Sequence, residues 1–488
     1  LEAFYKLEVP YSRSTEERTL ENFVNNEARV RTFLNDEGRW STPQALELLS
    51  GAALLCRYVF EDFDPDDIIP RHGPGSLASG EIGEEKWKFS TIYEDLHKVY
   101  PYYRTWYHSS GMLFDLFDEY ALGLKSLKTG TSKVTLVPKD SRGPRIITME
   151  PLEYMWHQQG LGRKMMWWLE NHSLTRGHIN FTDQSVNQYL AQISSLSNEW
   201  ATLDMKDASD LLSVDAVKLV FRSRKSLLKS LLVLRTPDTV FPNGEGMRLK
   251  KFAGMGSALC FPVESFIFWA ICVSEVARQL NIGLRDATQF CYVFGDDIIV
   301  PTDLAEDVIV ALESVGLMVN RSKSYITGPF RESCGVDAFL SVNVTPTRFK
   351  KLFPETSTDG TALAAWCSYA NTFARKGYTL LANTIFTDLE KVFGKIPYGV
   401  STSPYPCRIV DDPFLAEDLN QAARFRMRVS EDYHRKEFKV LFLVPVDQPS
   451  TLDGWARLTR NLLIGPGDEP SRFVLPKTVK IVKGWRAV

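Results

Sequence analysis

The sequence has no CxxC pair, no His/Cys cluster at zinc spacing, no internal repeat, no low-complexity tract and no large excess of charge of either sign. Each absence removes a class of protein. The 7 scattered cysteines exclude a zinc ribbon; their odd number argues against a full disulfide framework while leaving room for one bridge, and they read as reduced core thiols in a cytosolic chain. A formal net charge of -3 means that any contact with nucleic acid must come from local basic surfaces. The most apolar run, ALCFPVESFIFWAICV, is interrupted by Pro262 and Glu264 and is not expected to span a membrane. The start, LEAFYKLEVPYSRSTEERTLENF, matches neither a signal peptide nor a transit peptide, and its lack of Met suggests a truncated N-terminus. What remains is ordinary globular composition, 44% hydrophobic and 24% charged, over 488 residues. That length suits two to four folding units with ample core.

Helical patterns fill residues 1 to about 70, in EERTLENFVNNEARVRTFLND and QALELLSGAALLCRYVFEDF. A loop rich in glycine follows, RHGPGSLASGEIGEE, and then the aromatic cluster YPYYRTWYHSS, which suits either base stacking or core packing. Two β-type runs flank a basic turn in TSKVTLVPKDSRGPRIITMEP. Helices are expected in MWHQQGLGRKMMWWLEN, in the basic VKLVFRSRKSLLKSLL and in CFPVESFIFWAICVSEVARQL, with a strand opening WATLDMKDASDLLS. Beyond about 350 the pattern is helical and then rich in proline, with a basic end. Strands alternating with helices in the centre, between helical flanks, argue for an α/β or α+β core with helical additions.

The chemistry concentrates in CYVFGDDIIVP. Apolar β-type residues lead into and out of Asp296 and Asp297, Gly295 suits a tight hairpin tip, and both aspartates are expected to project from that tip. Two adjacent carboxylates repel and resist burial unless something positive meets them. Hard oxygen ligands in one place suit Mg²⁺ or Mn²⁺. Asp204, after the strand WATL, would complete the set if that strand pairs beside the hairpin, and two cations would then serve in-line displacement at phosphorus. Taken singly, GDD is a common turn and Asp204 a common helix cap.

Three further stretches are equally open when taken alone. KFAGMGSALCFPVES brackets Met255 with Gly254 and Gly256, and Ser257 opens a helix; it suits sugar or phosphate contacts, or simply a capping loop. Lys139, Arg142 and Arg145 would meet a triphosphate, or form a solvated turn. Lys323 in NRSKSY could protonate a departing pyrophosphate, or be a surface lysine.

The order of these stretches resembles motifs F, A, B, C and D of RNA-dependent RNA polymerases. INFTDQSVNQ, ATLDMKDASD, GMGSALCFPVES, YVFGDDIIV, GPFRESCG and VTPTR resemble the replicase catalytic subunit of the leviviruses, the positive-strand RNA bacteriophages, over about residues 70 to 350. The resemblance implies a right-hand polymerase with fingers in residues 1–195, palm in 196–350 and thumb in 351–488. It implies Asp204, Met205, Asp296 and Asp297 as ligands of two Mg²⁺ ions, with Mn²⁺ able to substitute, and Lys323 as the motif D lysine. Lys139, Arg142, Arg145, Asp210, Gly256 and Ser257 would bind the nucleotide, Asp210 beside the ribose 2′-hydroxyl. Ser257 stands where such replicases often carry Asn, which leaves the detailed sugar contact open. GPFRESCG would sit near the palm–thumb border and position the primer or nascent strand. The implied partners are RNA template, nascent RNA, NTPs, host translation elongation factors and a ribosomal protein, with no membrane, in the cytoplasm of a bacterial host.

Two rivals read differently. A reverse transcriptase shares the palm but usually carries a small residue such as alanine where Gly295 stands, and a bulky steric gate rather than Asp210. A non-catalytic RNA-binding phage protein would have no need of these motifs in this order.

Overall fold

The structure, a computed structural model, describes residues 2–30, 42–105, 123–449, 452, 454–464 and 472–488. Helix α1 (Arg13–Val30) turns Phe23, Asn26, Glu27 and Val30 inward. Its expected continuation and residues 106–110 of the aromatic cluster lie outside the described residues. Helix α2 (Pro43–Val59) starts on Thr42, whose side chain accepts the Ala45 N–H, and on Pro43, which has no N–H to leave unpaired.

The basic turn is a hairpin of β1 (Thr131–Asp140) and β2 (Gly143–Met149), as the sequence suggested. Short strands at Asp238–Val240 and Gly246–Arg248 extend its sheet on the β1 side. Helices α3 (Leu152–Asn171) and α4 (Ser185–Ser197) lead into β3 (Trp200–Asp204), which stops at the aspartate; the short helix α5 (Ala208–Leu211) follows. The basic stretch expected as one helix is two, Val214–Val220 and Lys225–Val233.

Helix α6 (Cys260–Leu280) is one continuous helix over the stretch where the sequence led us to expect one. Pro262 falls in the first turn, where its missing N–H costs nothing, and Glu264 is buried. By length and composition alone α6 could cross a membrane, but it is almost wholly buried inside the fold. A helix that is apolar on every side belongs at the centre of a large core. Residues Phe266 to Val273 are fully buried, and α6 packs on α2 and on α7 (Ala305–Ser314). Each large side chain buried there contributes roughly 1.5–3 kcal/mol.

Before α7 come β4 (Tyr292–Phe294) and β5 (Asp297–Pro301). They form an antiparallel sheet in the order β3–β5–β4, with α6 against it. On the far side of β3, Thr202 exchanges backbone hydrogen bonds with Tyr325. A hairpin of β6 (Phe330–Ser333) and β7 (Val336–Phe339) carries the GPFRESCG stretch.

Beyond residue 350, α8 (Gly360–Arg375) packs on α9 (Thr379–Phe393). The C-terminal flank is not simply helical, however. It ends in the paired strands β8 (Lys436–Pro449) and β9 (Arg472–Arg486), with Met427–Val429 alongside β8. The alternation in TVKIVKGWR is the period of a strand. All 7 cysteines are buried and free, as core thiols should be.

Candidate active site

Asp204 ends β3 and Asp297 begins β5, and the two are direct partners in the antiparallel register. Partners across such a pair share a face, with Cβ atoms about 4.5–5.5 Å apart. Phe294 pairs with Asp297, so the turn between β4 and β5 has only Gly295 and Asp296. Asp296 therefore holds the tip, whereas Asp297 already belongs to the strand; the sequence reading had set both at the tip.

Gly295 is required twice over. Its φ is +65°, and it alone of the two turn residues is positive, as in a II′ turn. A Cβ there would lie 2.2 Å from Cε2 of Phe261 at the start of α6. Gly295→Ala is expected to cost about 1–3 kcal/mol of stability through strain, and to displace Asp296 as Phe261 is pushed aside. Urea unfolding with a nucleotide-incorporation assay checks this. An unchanged midpoint with unchanged activity would show the turn to be more pliant than its packing implies.

Neighbouring segments hold the carboxylates. Asn320 Nδ2 donates to Asp204 Oδ2 at 2.7 Å, and the Asp204 N–H donates to Ser324 Oγ at 3.1 Å. The Met205 N–H donates to the Asp296 carbonyl at 3.2 Å, tying the tip to β3. The Cys334 N–H, at the β6–β7 turn, donates to Asp297 Oδ2 at 3.2 Å. From α4, Asn187 Nδ2 donates to the Asp297 carbonyl and Gln188 Nε2 to that of Cys334. INFTDQSVNQ and GPFRESCG thus buttress the GDD turn.

These carboxylates carry charge that the surroundings do not offset. Burial pushes the Asp297 carboxyl up to about 7, and the charges of Asp296 and Asp204 add to the effect. Burial likewise raises Asp204, with Asp296 contributing, while Lys323, Asn320 and Lys139 pull it down. The uncompensated charge fits a divalent cation in kind. The geometry is less complete: among the described residues no three His, Cys, Asp or Glu side chains converge into a closed metal site. Asp204, Asp296 and Asp297 would hold the ions. Met205 could add only its backbone carbonyl, because its side chain is buried and a thioether is a poor ligand for Mg²⁺.

A pH dependence follows. A carboxyl raised from 3.8 to about 7 binds a proton in the folded state that the unfolded chain has lost. Its contribution is therefore most favourable at low pH and declines as pH rises from about 4 to 7, by at most ~4 kcal/mol. Glu150, Glu153 and Glu264, also raised by burial to about 7, 7 and 8, act in the same direction. Unfolding curves in EDTA should show Asp297→Asn gaining stability over the parent at pH 8 but not at pH 4. Millimolar Mg²⁺ should raise the parent's midpoint more at pH 8 than at pH 5. The reverse order would show that no cation meets these carboxylates.

The basic residues gather on the same side. Lys139 lies below its ordinary value, chiefly through desolvation, then through Arg145 and also Lys323. Arg142 forks onto Asp140, with Nη2 to Oδ2 at 2.8 Å, and its guanidinium lies 4.5 Å from the Tyr5 ring centroid. Arg145 is exposed on β2. Lys6, unsuspected from the sequence, is lowered by desolvation and then by Arg348 and Lys323, so the N-terminal segment joins this basic wall.

The glycine loop has a packing explanation. A Cβ on Gly254 would lie 2.4 Å from Thr148 Oγ1, and one on Gly256 2.3 Å from the Thr148 carbonyl. The Thr148 N–H donates to the Met255 carbonyl at 2.8 Å, so the loop lies directly on β2. Ser257 does not open α6, which begins at Cys260; its hydroxyl donates inward to Gln158 Oε1 at 3.1 Å. Asp210 on α5 is held at 2.8 Å by Lys251 Nζ, a residue the sequence reading passed over. Glu264 was also missed. It is buried on α6, within reach of the charges of Asp296 and Asp210, and a Glu among the apolar residues of that helix's first turns was its signal.

The paired strands thus set Asp204 opposite Asp297, with Asp296 in the adjoining turn and Lys139 of the basic hairpin near enough to act on Asp204. The chain belongs to the family described as RNA replicase, beta-chain, whose model matches residues 80–358. It is 32% identical over 290 residues to the RNA-directed RNA polymerase subunit beta of Qbeta virus (strain MX1), covering 58% of this chain and 46% of that one. With the corresponding subunit of Enterobacteria phage SP it shares 34% over 264 residues, covering 54% and 42%. With the RNA-directed RNA polymerase beta chain of Escherichia phage MS2 it shares 35% over 218 residues, covering 45% and 37%. The matches thus span about half the length of these relatives, or less.

Proposed function

We propose that this chain is the RNA-directed RNA polymerase of a positive-strand RNA phage, copying an RNA template by nucleotidyl transfer from NTPs. The observation that carries this reading is the register pairing of Asp204 with Asp297 beside Asp296, with Lys323 and Lys139 close enough to act on Asp204. Two Mg²⁺ ions, or Mn²⁺ in their place, would supply charge neutralisation and activation of the attacking hydroxyl when bound. Lys139 and Arg145 would neutralise the triphosphate, with Arg142 sharing its charge with Asp140. The 3′-hydroxyl gives up its proton to solvent as its oxygen bonds to the α-phosphorus, the bond from that phosphorus to the β-phosphate oxygen breaks, and Lys323 would give a proton to the leaving pyrophosphate. Asp210 would accept a hydrogen bond from the ribose 2′-hydroxyl.

In this reading residues 1–195 form the fingers with their N-terminal region, 196–350 the palm and 351–488 the thumb. The enzyme would work in the cytoplasm of an infected bacterium. Its partners would be template, nascent RNA and NTPs, with host elongation factors and a ribosomal protein joining the complete enzyme.

The test is extension of a primer on a short RNA template by the purified chain, with NTPs and Mg²⁺. Expected is product complementary to the template, abolished by EDTA and restored by Mn²⁺. Product indifferent to template sequence or to EDTA would overturn the reading.

A further inference from the structure

Lys251 has no exposed surface, and its ammonium meets three groups. Asp210 Oδ1 lies 2.8 Å from Nζ, Glu27 Oε2 lies 3.7 Å away, and the Phe23 ring centroid lies 3.4 Å away. Glu27 and Phe23 both belong to α1, far away in sequence. Glu27 also accepts the backbone N–H groups of Lys250 and Lys251 through Oε1. The Lys251 backbone is fixed from the other side, because Arg235 donates to the carbonyls of Leu249, Lys251 and Phe252. A lysine held so tightly has given up its rotamer freedom and its water. The partner that gains is Asp210, whose side chain keeps 21% of its surface exposed.

We propose that Lys251 is a positioning residue that holds Asp210 ready for the ribose 2′-hydroxyl, and that α1 clamps Lys251 in that role. This rests on the reading of Asp210 as the sugar contact. The ammonium occupies Oδ1 and leaves Oδ2 for the ligand. A carboxylate fixed in this way welcomes a hydroxyl donor, and a deoxyribose leaves it without one. A swinging carboxylate could turn to water and would discriminate less. Selection of ribonucleotides thereby depends on a helix that does not touch the nucleotide.

The experiment compares kcat/KM for an NTP and its 2′-deoxy counterpart on one RNA template, in the parent, Asp210→Asn and Lys251→Met. Expected is a roughly tenfold or greater fall in the ribose-to-deoxyribose ratio for Lys251→Met, through loss of the NTP and not the dNTP rate. Combining Lys251→Met with Asp210→Asn should lower the ratio no further than Asp210→Asn alone. Lys251→Met leaves Glu27 buried without its cation, so it can fail to fold. The variant Lys251→Met/Glu27→Gln keeps the net charge of the cluster, and the same fall is expected from it. Equal losses on both nucleotides, or an unchanged ratio in Lys251→Met while Asp210→Asn collapses it, overturns the inference and spares the reading of Asp210. An unchanged ratio in Asp210→Asn overturns that reading and the inference with it.

Discussion

Asp296→Asn lowers RNA-templated nucleotide incorporation at least ~100-fold, a loss of about 2.7 kcal/mol of transition-state stabilisation, without lowering the unfolding midpoint. The two halves of this expectation have separate causes. Asparagine keeps the shape of the side chain, and the turn is held through the backbone, by the Met205 N–H on the Asp296 carbonyl and by Gly295 beneath Phe261. The charge of Asp296 pushes up Asp204, Asp297 and Glu264, so removing it relieves repulsion in the folded state. The same charge is what would hold a cation against the triphosphate. Incorporation assays beside urea unfolding read the two effects apart. Equal activity would move the chemistry away from this turn, and a large loss of stability would mean that Asp296 supports the fold rather than the reaction.

The parts of the site that the sequence announced are those built from neighbours along the chain. Tyr292 to Val300 reads as two apolar strands around a glycine turn because each feature sits within a few residues of the next. Lys139, Arg142 and Arg145 are legible as a basic hairpin for the same reason. Asp204 needed a longer step, and the structure supplies it as direct register with Asp297. What the sequence hid is tertiary. Lys251 reads as one of two lysines before a glycine loop, and only the fold brings Glu27, more than two hundred residues upstream, onto it. Lys6 reaches the basic wall through an N-terminal segment whose Tyr5 carbonyl accepts from Ser141, which no local pattern encodes. Gly254 and Gly256 suggested a ligand loop, yet their closest constraint is Thr148 on β2. The long strands after residue 430 were hidden among prolines and charges, since alternation is weak evidence when the partner strand is far along the chain.

Arg331→Met is expected to destabilise the protein by about 3–5 kcal/mol, more than any surface substitution would. GPFRESCG resembles a family signature, and the resemblance implies a role in positioning the primer or nascent strand. The arginine at its centre, however, has no exposed surface. Its five N–H groups are all used: Nε on the Trp200 carbonyl, Nη1 on those of Gly328 and Phe330, Nη2 on the Ile326 carbonyl and on Asn198 Oδ1. The acceptors are neutral oxygens, and burial lowers the guanidinium from its ordinary value. A guanidinium can satisfy five such groups where an ammonium has three donors at most. Lysine at this position should therefore fail nearly as badly as methionine. The cage fastens β6 to the start of β3, and the next turn along, at Cys334, donates to Asp297. Losing it would loosen the buttress behind the GDD turn, so activity should fall along with the urea midpoint. If Arg331→Met unfolded within ~0.5 kcal/mol of the parent, the cage would contribute nothing net. An activity loss in that stable variant would then assign the arginine to positioning the GDD turn and not to holding the fold together.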